Sequence, residues 1–433
     1  MDDRHSEADL QTGSSEHARG CPLKGTTIGY CVPEFPSQTH AFFWREIQAL
    51  RNAGVEVVIF STRLPDAPSP HAFSRSAMAE TLYLFPPRWG RAVAFLVARP
   101  SPTFAALQYA LALDESSFLQ RLKVAAMIPS AAELARICEK GGVRHVHIHS
   151  FANALHLGAM ANILGGAPYS ATLHGDLPVY GSDHAAKLRR ASMAVAVTRP
   201  LEGQLATCSP LTATHVITMG VDVDRFAPAQ TRSGPGVPDG ALHVVSVARL
   251  NYAKGHSFFL TAMAQIVSEG FDIRYSIAGE GPHREAIETE IRNLGLGDRV
   301  EMMGSISEDR VLALLQSCDV FVLSSFGPGE AAPVAVMEAM SCGLAVICSL
   351  IGGTGNMIED GRDGLLVAQR DIDGLAAALR MLAGDPGLCG RLGRAARDTA
   401  CGKFDYRVTA GHLAEAIAFS LDSADDLKAP AAS

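Results

Sequence analysis

The residues of this chain best suited to chemistry lie in the stretch SSFGPGEAAPVAVMEAMSCG, where two glutamates, Glu330 and Glu338, flank the start of a helix. Pro333 suits a first helical turn and Gly343 a position just past the end. A helix N-terminus offers unpaired N–H groups and positive potential, so the backbone at Val334 and Ala335 is suited to an anion such as a diphosphate. Five residues on, about 7 Å along the axis, Glu338 is placed to accept from ribose hydroxyls. Glu330, on the other side, is placed to accept from the hydroxyls of a sugar, because an ionised carboxylate only accepts hydrogen bonds. The spacing fits a sugar–diphosphate–nucleoside. As isolated glutamates, both would be read as solvated charges.

Two cations in SVARLNYAKGH, Arg249 and Lys254, follow a strand and would offset charge on a departing diphosphate. Gly279 and Gly281 in IAGEGPHR mark a turn where backbone comes close to something. The third glycine of a dinucleotide-binding loop is absent, so no NAD site is read there.

These motifs need strands to present them. ALHVVSVARL, RYSIAG, RVEMMGS, CDVFVLSS, LAVICS and GLLVA alternate with helical segments, and TTIGYCVPEF, VEVVIFST, RHVHIHS, APYSATLHG and ASMAVAVTR do the same in the first half. Alternating β and α elements predict parallel sheets covered on both faces, with ligands at the carboxyl ends of the strands. The fold class expected is α/β, with two Rossmann-like, doubly wound sheets facing a central cleft. The domains expected are a disordered leader over 1–24, an acceptor domain over 25–225, a linker over 226–240 and a donor domain over 241–405. A helix over 406–420 would cross back to the first domain, and 421–433 would be a disordered tail.

The second half closely resembles the retaining, GT-B fold glycosyltransferases of family four. The resemblance rests on Glu330-x7-Glu338, on Arg249 with Lys254, on GEGP at 279–282, on Val300-x3-Gly304 and on DVFV at 319–322, and it covers nearly 25–420. It implies that Arg249 and Lys254 contact phosphates, Glu330 the donor sugar and Glu338 the ribose, and that Ile306 faces the base. TMGVDVDRF matches a family signature at the end of the first domain, with Met219 where Asn is usual. VPEFPSQTHAFF and SATLHGDLPVY resemble exopolysaccharide and colanic-acid members, which implies His174 near the transferred sugar and Asp176, Thr39 and His40 on the acceptor side. His40 stands where Glu is frequent.

The resemblance further implies a retaining transfer of a hexose from a UDP- or GDP-sugar, with His174, Glu330, Arg249 and Lys254 in the catalytic set. No metal and no cofactor are expected, and the acceptor is a glycan or a polyprenyl-linked glycan. A catalytically inactive nucleotide-sugar-binding regulator is the alternative, with a GT-B epimerase or phosphorylase behind it.

Composition agrees with a soluble globular chain: 433 residues, 48% hydrophobic, 19% charged, and a net charge of -8 that argues against a nucleic-acid partner. Nine cysteines without a CxxC pair read as reduced thiols, and no leader or membrane span is evident, so a cytoplasmic location is expected, with the inner face of the cell membrane as one site. Residues 86–113 carry arginines, Trp89 and apolar runs, which read as core helices, with peripheral membrane docking as the alternative. His145, His147 and His149 share a strand face but lack a completing ligand, and Asp222 with Asp224 only imitates a metal-binding DxD pair.

Overall fold

The computed structural model describes residues 20–37, 40–65, 73–229, 240–328 and 330–426. Two parallel sheets organise it. The first contains β1 (Thr27–Cys31), β2 (Glu56–Ser61), β3 (Leu82–Tyr83), β4 (His145–Ile148), β5 (Tyr169–Leu173), β6 (Met193–Ala196) and β7 (Thr214–Val216). Its strand order is β3-β2-β1-β4-β5-β6-β7, with every pairing parallel. The second contains β8 (Leu242–Val247), β9 (Ile273–Ala278), β10 (Val300–Gly304), β11 (Val320–Leu323), β12 (Ala345–Ser349) and β13 (Leu365–Val367). Its order is β10-β9-β8-β11-β12-β13, again parallel. This is the doubly wound pair that the alternating pattern predicts.

Order reverses between β1 and β4 in one sheet and between β8 and β11 in the other. At such a point the loops diverge and leave a crevice beyond the carboxyl ends of the strands. The loops after β8 and β11 carry Arg249, Lys254 and Glu330, while those after β1 and β4 lead to His40 and His149. Topology therefore opens both crevices beside these residues.

The helix Ala41–Asn52 buries Phe43, Ile47 and Leu50, one stripe at helical spacing. Against that stripe packs the last helix, Tyr406–Asp426, through Leu413, Ala414 and Ile417, in a core shared with Ile28, Met193 and Val195 of the first sheet. The chain thus returns from the second sheet to the first. Gly220 permits the return: a Cβ there would stand 2.3 Å from Tyr406 Cα, where Val221 and Asp405 form a bridge.

Several bounds differ from those expected. Leu23, within the expected leader, is 2% exposed and belongs to the first core, so the ordered chain starts ahead of residue 25. The last helix continues to Asp426 rather than ending at 420, because its apolar stripe runs on to Leu421. Of the expected linker, Phe226 is fully buried, Gln316 donates to the Ala227 carbonyl, and 230–239 lie outside the described residues. Residues 1–19 and 427–433 also lie outside them. Among the described residues no helix is long and apolar enough to cross a membrane.

Candidate active site

The second domain assembles its polar residues over the β8/β11 switch point. Lys254, in a single helical turn after β8, pairs its ammonium with Glu330 Oε2, and Ser325 Oγ donates to the same oxygen at 3.0 Å. Gly255 makes this approach possible. Its φ is +67°, and a Cβ there would lie 2.0 Å from the Ser324 carbonyl oxygen. The helix Val334–Ser341 begins four residues beyond Glu330, with Pro333 as its N-cap. Val334 and Ala335 open that helix, so their amides precede its first internal bonds. The cation and the carboxylate thus pair in the loops that lead to this helix N-terminus.

Arg249 is exposed and lines an open cleft of about 340 Å³ with Gly279, Glu280, Ser305 and Ile306. Gly279 lies at the edge for a reason the sequence does not show. A Cβ on it would stand 1.8 Å from the Ala248 carbonyl oxygen, and one on Gly281 would stand 2.2 Å from that of Leu250. What these glycines approach is the backbone of the Arg249 loop.

Glu338 is half-buried, inside the same helix. Desolvation pushes its carboxyl up to about 7, against the pull of Arg45 and Arg225. Arg45 comes from the first domain and pairs with Glu308, to which Arg225 also bonds at 3.2 Å. Neither arginine is singled out by the motifs. Arg45 interrupts the apolar run of its helix and Arg225 lies inside VDVDRF, but only the fold brings both to Glu338.

In the first domain His174 follows β5, ringed by Phe42, Phe43 and His149. Its Nε2 lies 3.1 Å from His149 Nδ1. Burial pushes its pKa well below the usual imidazole value, and the neighbouring His149 and His40 rings push it the same way. His40 stands at the N-cap position of the helix Ala41–Asn52 without a side-chain cap bond, and stacks on Phe35 with ring centroids 6.1 Å apart. Asp176 accepts from Gln204 Nε2 at 2.7 Å. Thr39 lies outside the described residues.

His145 and His147 face inward and bond Ser170 and Thr172 at 2.7 Å, so neighbouring strands hold them. Asp222 accepts from the Arg225 amide and Asp224 from Arg407, which ties the DxD segment to the last helix. Met219 lines the small cavity beside His174 and His149, so its replacement of Asn touches the cleft as well as the hinge. No cluster of three or more histidines, cysteines or carboxylates able to hold a metal occurs among the described residues.

Two family models divide the chain along this architecture. Glycosyltransferase Family 4 matches residues 41–225, and Glycosyl transferases group 1 matches residues 229–399. The chain belongs to the family 4, group 1 glycosyltransferases. A protein of Salmonella typhimurium named as the colanic acid biosynthesis glycosyltransferase WcaL is 28% identical to this glycosyltransferase over 381 residues, 81% of this chain and 89% of that one. A GDP-mannose-dependent phosphatidylinositol monomannoside mannosyltransferase of Mycolicibacterium smegmatis is 28% identical over 306 residues, covering 66% and 79%. Among solved structures, Anabaena HepE superposes with a TM-score of 0.70 at 17% identity, covering 90% of this chain and 99% of its own, which shows the GT-B fold.

Proposed function

We propose that this glycosyltransferase moves a hexose from a UDP- or GDP-sugar, with retention of configuration and without a metal ion, to a glycan or polyprenyl-linked acceptor in exopolysaccharide or cell-surface polysaccharide synthesis. The observation that carries the reading is the Lys254–Glu330 pair with Ser325 beside a helix N-terminus. A cation and a helix N-terminus together suit a diphosphate, and an adjacent carboxylate suits sugar hydroxyls. The relative named for colanic acid synthesis and the HepE complexes with UDP and UDP-glucose support the same class of substrate.

In this reading the anomeric carbon–oxygen bond to the diphosphate breaks, and the acceptor oxygen bonds to the same face of the sugar. The acceptor proton passes to the departing diphosphate. Lys254, Arg249 and the amides at Val334 and Ala335 stabilise the leaving charge, while Glu330 and His174 orient the sugar, Glu338 holds the ribose and Ile306 flanks the base. His40 and Asp176 face the acceptor. A cytoplasmic position at the inner membrane face completes the proposal, supported by an apolar, arginine-bearing surface over residues 85–122.

Calorimetric titration with UDP and GDP, without added metal, tests the donor site. One nucleotide should bind preferentially, and Lys254→Ala should weaken it on the order of tenfold or more, the value of a charge-assisted contact. Binding of neither nucleotide would sink the proposal. Binding without turnover of any nucleotide sugar would favour the non-catalytic regulator.

A further inference from the structure

Behind His174 lies a row of polar groups that the transfer itself does not use. Glu46 occupies the inner side of the helix Ala41–Asn52, between the buried Phe43 and Ile47, where an apolar residue would pack at lower cost. Its Oε1 accepts from the Tyr30 hydroxyl at 2.7 Å and lies 3.4 Å from His149 Nε2. His149, 6% exposed, turns its other nitrogen to His174 Nε2. Tyr30 and Phe43 pack on the His149 ring, with centroids 4.3 and 4.8 Å away, so the ring has little freedom to turn.

The order of these groups favours one arrangement of the protons. The Glu46 carboxylate lies on the Nε2 side of His149 without yet making a hydrogen bond to it, and a carboxylate there favours the tautomer with hydrogen on Nε2 and a lone pair on Nδ1. His174 then donates from Nε2, and its Nδ1 is bare. That Nδ1 atom is buried and has no hydrogen-bond partner among the described residues, and the same holds for His149 Nε2 in this structure. We propose that Glu46 and His149 are positioning residues that hold His174 in the tautomer whose Nδ1 accepts a hydrogen bond from a hydroxyl of the transferred sugar. The proposal rests on the reading of His174 given above. The 3.4 Å separation between Glu46 and His149 closes when substrate completes the site, as catalytic hydrogen bonds commonly do.

Ring-nitrogen NMR of protein labelled with ¹⁵N-histidine tests the relay, with His174 assigned by loss of its signals in His174→Asn. The wild type should show His174 protonated at Nε2 and bare at Nδ1. Glu46→Leu should move those signals and lower kcat on the order of tenfold to a hundredfold, the scale of a misoriented group, while KM for the donor changes less than about threefold. Glu46→Gln, whose amide oxygen still accepts, should restore most of both. His149→Phe, which fills the same space without a ring nitrogen, should reproduce the Glu46→Leu loss and covers the case in which that variant fails to fold. A His174 protonated at Nδ1 in the wild type, or ring signals and kcat unmoved by Glu46→Leu, overturns the relay. A wild type with the bare Nδ1 that turns over no nucleotide sugar would sink the proposed function and leave the relay standing.

Discussion

Glu338 shows how much one residue owes to its surroundings. Spacing places it a turn and a half into the helix, but its half-burial and its two arginine neighbours come from segments about 290 and 110 residues away, which no local pattern reveals. Raised from 4.5 to about 7, its carboxyl binds a proton more tightly in the folded chain than in the unfolded one. Its contribution to stability is therefore full below about 4.5 and is lost as pH rises through about 7. Ribose binding runs the other way, because only the ionised form offers both oxygens as acceptors. Nucleotide affinity should accordingly rise about threefold to tenfold between pH 6 and pH 8 in the wild type and stay flat in Glu338→Gln, measured as a ratio so that ionisation of the nucleotide cancels. Above pH 7 the unliganded Glu338→Gln protein should be the more stable of the two, by an amount on the order of 2 kcal/mol. Equal pH profiles for the two proteins would remove Glu338 from the ribose site.

At the scale of elements, the long apolar strands and their intervening helices are legible because burial on both faces of a parallel sheet demands unbroken apolar runs. The two-residue β3 and the three-residue β7 are too short to show a period, and the helix Pro386–Lys403 is masked by its glycines. Faces are harder to read than elements. Helices Trp89–Val97 and Pro100–Leu111 read from composition as core helices first and as membrane-facing second, and only packing shows which residues of these and of Phe118–Ala125 point out. Ten of the nineteen large apolar side chains exposed among the described residues fall between 85 and 122, among them Trp89, Val97, Phe104 and Phe118. Arg88, Arg91 and Lys123 are exposed on the same stretch. Aromatic and basic residues on adjoining helices suit the headgroup region of an anionic bilayer. The protein should therefore sediment with anionic vesicles at low salt and much less with neutral ones. With Trp44 replaced by Phe, the Trp89 emission should shift to the blue on binding, and Phe104→Asp should weaken sedimentation severalfold. A wild type that stays in the supernatant with anionic vesicles at low salt would leave this face without a membrane role.

The molecule as a whole is held with its two crevices opposed. Arg45 of the first domain reaches Glu308 of the second, partly buried on both sides, and the last helix closes the circuit by packing on the helix that carries Arg45. A second contact lies between the loops after β6 and β12. Thr198 comes so near Gly353 that a Cβ on that glycine would stand 2.1 Å from Thr198 Cγ2. Gly353 has a φ of −95°, so a larger residue would not strain its own backbone; the severe obstacle is Thr198 of the opposite domain, with the Ala331 carbonyl oxygen of its own domain a lesser one at 3.1 Å. Gly353→Val should hold the domains apart while leaving each folded. Nucleotide binding, which falls within the second domain in the proposed function, should stay within about threefold of wild type. Turnover, which needs His174 brought to the sugar, should fall on the order of a hundredfold, because a shift of about 1 Å already costs that much. Small-angle scattering should show a larger radius of gyration for the variant. An unchanged radius together with unchanged turnover would mean that this contact does not govern closure, and that the Arg45–Glu308 pair and the last helix set the approach of the domains by themselves.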